Sequence, residues 1–362
     1  MKILNVVVAV ILVLIIVGVV INYRLDSTPP GTFDSPQYHD GVFVNTKPIT
    51  GNTFTKFIEI FHRSLTQERT AIRPAAAIPI ASLTTKQLQQ LPDTGVFFVK
   101  LGHSTVLFKI EGRYVLTDPM FARRASPFRF VGPERFHPVP ITIDELPPID
   151  IVLLSHNHYD HLDEDSVKAL KHKTQHFLVP LGLKVQLLDW GIQADNITEL
   201  DWWQKQRVAD IDLTLTPSHH FSGRAFTDRN ATLWGGWAIR TAQTALFFSG
   251  DSGYFDGFKA IGQKLGPFDI AMIENGAYAS NWPQVHMQPQ QTVQAFKDVK
   301  GRYLVPIHNS TFDLAFHSWF DPLEQLEKLS QKQNVNLLTP RFGQIINVSQ
   351  PDATPRWWQT LN

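Results

Sequence analysis

Residues 155–163 read SHNHYDHLD. Three imidazoles and one carboxylate, His156, His158, His161 and Asp160, fall within six residues. The run before them, Ile149–Ser155 (IDIVLLS), is almost wholly apolar, as a buried strand is. His156 and His158 stand two apart, so in an extended turn both rings can face one point. Asp160 and His161 follow as the chain bends and can face a second point a few Å away. Two metal ions held this way can share a bridging hydroxide. Clustering these groups without a cation is costly, which sets the stretch apart from a lone histidine in a turn.

One cluster cannot fill two coordination spheres. The flanking sequence repeats the same grammar of an apolar strand that ends in a His or Asp. Leu213–Leu215 leads to Pro217-Ser218-His219-His220, Ala245–Phe248 to Ser249-Gly250-Asp251, and Tyr303–Ile307 to His308. Upstream, Val96–Val99, Thr105–Ile110 and Tyr114–Leu116 read as strands, the last ending in Thr117-Asp118-Pro119. Ligands on strand ends over a rigid core suit a site that must hold its geometry.

Composition narrows the chemistry. The chain has 362 residues, with 33 basic against 33 acidic side chains, which argues against a nucleic-acid partner. A hydrophobic content of 43% against 18% charged residues excludes a disordered chain. There is no cysteine, so disulfides, thiolate metal sites and cysteine nucleophiles are excluded. The chain also lacks a Gly-x-Ser-x-Gly elbow. Any metal must be held by His, Asp or Glu.

The N-terminus differs in kind. Ile3–Ile21 is nearly all aliphatic, and nineteen residues of helix span about 28 Å, close to a bilayer's hydrocarbon core. The flank Val19–Arg24 offers no small-x-small cleavage site, so an uncleaved single-pass anchor is expected. In a bacterium that means the inner membrane, with the catalytic domain on the periplasmic side. Residues 1–23 are taken as the anchor and 24–92 as a linker and extension packing on the main domain. Residues 93–350 are taken as the main domain and 351–362 as a tail. Apolar positions 54, 57, 58, 60, 61 and 65 give one amphipathic helix, which packs on the main domain or meets a membrane surface.

SHNHYDHLD resembles the HxHxDH signature of the metallo-β-lactamase superfamily. ELPPIDIVLLSHNHYDHLD (145–163), ELDWW (199–203), GDSGY (250–254) and GPFDIAMIENGAY (266–278) are similar to N-acyl-phosphatidylethanolamine-hydrolysing phospholipase D and its bacterial relatives. Ascorbate-6-phosphate lactonases resemble it more distantly. The resemblance implies an α/β fold, the αβ/βα sandwich, with two zinc ions per chain. One zinc would take His156, His158 and His220. The other would take Asp160, His161 and His308, with Asp251 bridging. It makes Asp118 a support for a ligand imidazole and places His286 near the substrate phosphate, while His103 reads as mainly structural. It implies a homodimer as well. The activity implied is hydrolysis of N-acyl-phosphatidylethanolamine to N-acylethanolamine and phosphatidic acid by a metal-bridging hydroxide, which Asp160 and Asp251 hold. A phospholipid or other phosphodiester and the membrane are the expected partners.

The chain departs from that family at Glu274, at 279–283, at Val285 and at Asn309-Ser310. None is a proposed ligand, and all are expected to wall the pocket, so substrate choice is what they alter. Glu274 reads as a solvent-facing or salt-bridged carboxylate. The alternative activities are hydrolysis of a phosphorylated lactone or another phosphodiester, or a non-catalytic role in the cell envelope.

Overall fold

The computed structural model describes residues 2–50 and 53–361. Helix α1 (Lys2–Leu25) leads to a short hairpin, β1 (Tyr38–His39) and β2 (Val42–Phe43), then to α2 (Thr53–Thr66) and α3 (Thr85–Gln89). Strands β3 (Val96–Lys100), β4 (Val106–Ile110), β5 (Arg113–Thr117) and β6 (Ile149–Leu153) follow. Next come α4 (Glu164–Leu170), β7 (Thr174–Pro180), α5 (Lys184–Asp189), β8 (Ile197–Leu200), β9 (Lys205–Val208), β10 (Ile211–Thr216), β11 (Gly236–Arg240) and β12 (Ala245–Phe248). The chain closes with α6 (Gly257–Lys264), β13 (Phe268–Glu274), α7 (Pro289–Asp298), β14 (Gly301–Ile307), α8 (Asp321–Gln333) and β15 (Ile345–Asn347).

Two sheets result. One runs β15-β3-β4-β5-β6-β7-β8 and the other β14-β13-β12-β11-β10-β9. The period-2 alternation of each strand sorts its side chains between two cores. Val106, Phe108 and Ile110 of β4 meet Leu213, Leu215, Leu246 and Phe248 between the sheets. Leu107 of β4 turns outward to Leu116, Val152, Val167 of α4 and Leu187 of α5. Phe247 of β12 turns outward to Phe258 and Ile261 of α6, Phe296 of α7 and Leu326 of α8. The order is therefore helices, sheet, sheet, helices, a mixed α/β sandwich of the metallo-β-lactamase type. Trp237 clamps the layers by donating its indole N–H to the Leu154 carbonyl across the sandwich at 2.8 Å.

Strands β5 to β8 run parallel, as do β12 to β14, so several strands end at one edge of the sandwich. Side chains placed just beyond the C-terminal ends of such strands converge on a crevice. Asp163, the last residue of the opening motif, caps α4 by accepting the Ser166 amide at 2.9 Å. That cap fixes where the His-rich turn ends. Gly250 (φ 58°) permits the turn into Asp251, because a Cβ there would lie 2.7 Å from both the Gly235 carbonyl and Ser155.

Phe43 is fully buried in the core between the sheets, with Phe33 and Tyr38 against it. Among the described residues no helix is long and apolar enough to cross a membrane. The expected anchor rests on Ile3–Ile21, and the side chains of 2–9, 11, 12 and 14 lie outside those described. Val13, Ile16 and Val20 are exposed. The last turn of α1 is hooked to the body, where Asn22 exchanges hydrogen bonds with Thr227 and the Phe226 amide, each 2.8 Å.

Candidate metal centre

The strand ends bring His156, His158, Asp160, His161, His220, Asp251 and His308 into one group, buried except for the half-buried His158 and Asp160. Nε2 of His156 lies 2.8 Å from Nδ1 of His158, and Nε2 of His220 lies 3.2 Å from the same atom. Beside them Asp160 Oδ2 lies 3.1 Å from His308 Nε2 and 3.5 Å from His161 Nε2. Asp251 stands between the two sets. Its carboxylate is 2.9 Å from His308 and 3.2 Å from His161, against 3.8 Å from His220 and 3.9 Å from His156.

Supporting bonds fix which ring nitrogen faces inward. His161 donates Nδ1–H to Asp118 Oδ2 at 2.7 Å, and His220 donates Nδ1–H to the Val285 carbonyl at 3.0 Å. The Ser155 hydroxyl has a single proton, which goes to Asp118 Oδ2 at 2.6 Å. The hydroxyl therefore accepts from His156 Nδ1–H at 2.9 Å. All three rings then turn Nε2 toward the centre. Asn45 grips the His220 backbone from both sides, accepting its N–H at 3.1 Å and donating to its carbonyl at 2.7 Å.

The electrostatics call for a cation. Burial keeps His156 and His220 uncharged, well below the usual imidazole range, and takes His158 down to about 4. Burial acts on His161 and His308 as well, but Asp251 and Asp160 outweigh it. They hold His161 well above its usual value and His308 up at about 10. Burial alone would raise Asp160 and Asp251, yet His161 and the neighbouring rings drive both far below the carboxylate range. Two ionised carboxylates thus draw protons onto the rings around them. His161 Nε2 and Asp251 Oδ1, buried and 3.2 Å apart, are also not aligned for a hydrogen bond to each other or to any other described group. Neutral imidazoles with converging lone pairs, ionised carboxylates and unpartnered donor atoms fit a divalent-cation site. The donor atoms of each set lie within 4.8 Å of one another.

Several placements were not foreseen. His103, read as mainly structural, puts Nε2 3.1 Å from Asp160 Oδ2 and lies over the His308 ring, centroids 4.0 Å apart. Its carbonyl accepts the His308 amide at 2.9 Å and so helps hold His308 at φ 63°. Glu274, at the end of β13, is fully buried rather than solvent-facing. It accepts Nδ1–H of His286 at 2.7 Å and the Met287 amide at 2.5 Å. His286 lies parallel to His308 with centroids 5.0 Å apart. His219 lies outside the cluster, stacked on Phe255.

A cavity of about 440 Å³ opens on this group. His158, Asp160, Asp251, His286 and His308 form its polar end, and Ile49, Ile60, Phe221, Trp282, Val285 and Leu314 supply an apolar wall. Ile60 comes from α2, which Arg63 ties to the wall by hydrogen bonds to Ser280 and Asn281.

Residues 113–309 match the β-lactamase superfamily domain. An uncharacterized protein of Mycobacterium tuberculosis (strain ATCC 25618 / H37Rv) is 40% identical over 330 residues, covering 90% of this chain and 88% of that one. The N-acyl-phosphatidylethanolamine-hydrolyzing phospholipase D 1 of Caenorhabditis elegans is 33% identical over 343 residues, covering 88% of this chain and 95% of that one. Among solved structures, an isothiocyanate hydrolase from Delia radicum gut bacteria superposes with a TM-score of 0.56 at 18% identity, over 69% of this chain and 98% of that one, a likeness of fold. The converging strand ends, the His/Asp cluster and these matches together place the chain in the β-lactamase superfamily, as a metallo-β-lactamase-fold hydrolase related to N-acyl-phosphatidylethanolamine-hydrolysing phospholipases D.

Proposed function

We propose that the protein is a membrane-anchored di-zinc phosphodiesterase of the phospholipase D type, releasing N-acylethanolamine and phosphatidic acid from N-acyl-phosphatidylethanolamine. The observation that carries the reading is the Asp251 carboxylate set between two donor groups, 2.9 Å from His308 on one side and 3.8 Å from His220 on the other. His156, His158 and His220 would hold one ion, and Asp160, His161 and His308 the second, with Asp251 shared. Imidazole and carboxylate donors without thiolate suit zinc. When bound, such a pair supplies Lewis acidity, polarising a phosphoryl oxygen and making water a better nucleophile near neutral pH.

The chain's own residues do the rest. Asp118 orients His161 directly and His156 through Ser155. Glu274 takes Nδ1–H of His286 and faces the ring with a carboxylate; a ring that carries a second proton, on Nε2, would pass that one to the departing ethanolamine oxygen. The apolar wall excludes water and accommodates an acyl chain. The similarity to the Caenorhabditis elegans enzyme over most of both chains supports the lipid substrate. The aliphatic run Ile3–Ile21, with Val13, Ile16 and Val20 exposed, supports an anchor that brings the pocket to a bilayer.

The test is a product assay on zinc-loaded protein. N-acyl-phosphatidylethanolamine, phosphatidylethanolamine and phosphatidylcholine are offered side by side, with products read by mass spectrometry and His158→Ala as the blank. Release of N-acylethanolamine by the parent alone supports the reading. No release from any lipid, with two zinc ions bound per chain, removes the phospholipase reading and points to a small phosphodiester or lactone.

A further inference from the structure

Among the described residues lining the pocket, Arg229 is the sole lysine or arginine. Its guanidinium lies 4.7 Å from the centroid of the Phe221 ring. Phe221 in turn packs on His158 and His220, centroids 4.6 and 4.8 Å away. The charge is therefore carried on an aromatic shelf that rests on the metal-site rings.

What sets this arginine apart is its want of an acceptor. Nearby Arg224 donates to the carbonyls of Asn157 and Leu162 at 2.9 and 2.7 Å. Arg63 and Arg69, which approach the pocket from the N-terminal extension, bond to Ser280 and Asn281 and to Asp313. The Arg229 guanidinium has no hydrogen bond or ion pair among the described residues, and Phe221 is its contact. Its position is nonetheless fixed. Asp228 is buried and accepts the Arg224 and Ala225 amides, while Asn230 bonds Ser222 through both backbone and side chain. A planar, permanently charged fork held at the rim of a pocket with its donors free matches an oxyanion in two-point contact.

We infer that Arg229 recognises the negative charge of the substrate, pairing with a phosphoryl oxygen at the mouth while the apolar wall takes an aliphatic chain. The ligand class is an anionic single-chain or double-chain amphiphile, and a neutral ester or lactone gains nothing from this residue. The inference rests on the phosphodiesterase reading for the identity of the anion.

The experiment compares Arg229→Gln and Arg229→Lys with the parent, all zinc-loaded. Arg229 is exposed, so both variants keep the fold, and a thermal melt checks it. Calorimetric binding of decyl phosphate is expected to weaken about tenfold or more in Arg229→Gln and by less in Arg229→Lys, with decanol binding unchanged in both. On bis(p-nitrophenyl) phosphate, Arg229→Gln is expected to raise KM with kcat held within about twofold, and to leave p-nitrophenyl octanoate hydrolysis alone. Equal loss on charged and neutral ligands, or no loss on either, overturns the inference. A parent that turns over no phosphodiester removes the phosphodiesterase reading instead, and the decyl phosphate comparison then decides Arg229 by itself.

Discussion

Asp118 Oδ2 accepts Nδ1–H of His161 at 2.7 Å and the Ser155 hydroxyl at 2.6 Å, and that hydroxyl accepts Nδ1–H of His156. One buried carboxylate thus sets the ring orientation of a residue in each half of the donor cluster. The Ser155 amide adds a bond to Oδ1 at 2.7 Å, and Asp118 itself sits at φ 35°, a conformation its surroundings must hold. Asp118→Asn offers an amide where His161 needs a charged acceptor. Zinc affinity is expected to fall about 10–100-fold, read by chelator competition with metal analysis of the protein. Ser155→Ala disconnects His156 alone and is expected to lose less. Unchanged retention of zinc in Asp118→Asn would remove this role.

The Glu274–His286 pair makes a prediction about leaving groups. If His286 supplies a proton to the departing oxygen, its loss matters in proportion to how badly that oxygen needs one. His286→Ala is expected to lower kcat about 100-fold or more on an alkyl phosphodiester. On a p-nitrophenyl phosphodiester, whose leaving group departs as an anion, the loss is expected to be under about tenfold. Glu274→Gln keeps the shape and removes the charge that orients the ring, so its loss on the alkyl substrate should lie between parent and His286→Ala. Equal losses on both substrates would mean that His286 shapes the pocket and moves no proton.

These two carboxylates also mark how far the sequence could be read. His156, His158, Asp160 and His161 were legible because four chemistry-bearing residues share one turn, and His220, Asp251 and His308 because each follows an apolar strand. The sandwich was legible only through the family resemblance; a run such as Ile151–Leu154 reads as a buried strand because it is apolar throughout, and the structure shows it filling a core on each face. The burial of Glu274 and its partner were not legible, because His286 is twelve residues on and only the packing of β13 against the following loop joins them. His103 was ranked as structural for a similar reason, since its approach to Asp160 depends on how the turn after β3 meets the turn after β6. Asn45 lies 175 residues from His220, and no local pattern could pair them.

Lys100 predicts a pH dependence of stability. Its ammonium is buried, donates to the Pro306 carbonyl at 2.9 Å and Asn309 Oδ1 at 3.1 Å, and faces the Phe342 ring. Burial pushes its pKa down to about 7. The unfolded chain keeps this proton up to about pH 10.4. Between those values the unfolded state binds more protons than the folded one, so stability rises with pH by up to about 1.4 kcal/mol per unit. Below about pH 7 both states are protonated and Lys100 adds no slope. Lys100→Met removes the rise. Urea midpoints of the two proteins at about pH 6.5, 8 and 9.5 check it, since other titrating groups cancel in the difference. Parallel pH profiles would place the proton on Lys100 throughout.

Asp228 ties the end of the N-terminal helix to the loop that carries Arg229. Its fully buried carboxylate accepts four groups: the Ser27 amide at 3.1 Å, the Ser27 hydroxyl at 2.7 Å, the Arg224 amide at 2.9 Å and the Ala225 amide at 2.8 Å. The Ser27 hydroxyl also receives Asn157 Nδ2 at 3.0 Å, which links this knot to the His-rich turn. Asp228→Ala leaves buried donors unmet, at roughly 1–3 kcal/mol for each that finds no water. Because the knot closes the segment just after Arg24, two outcomes are expected together. The melting temperature falls by several degrees, and trypsin cuts after Arg24 at lower doses than in the parent. Asp228→Asn retains an acceptor oxygen and should fall between the two. If the melting temperature drops with cleavage at Arg24 unchanged, Asp228 supports the 222–230 loop alone, and the segment after α1 is held by the Asn22 and Thr227 contacts instead.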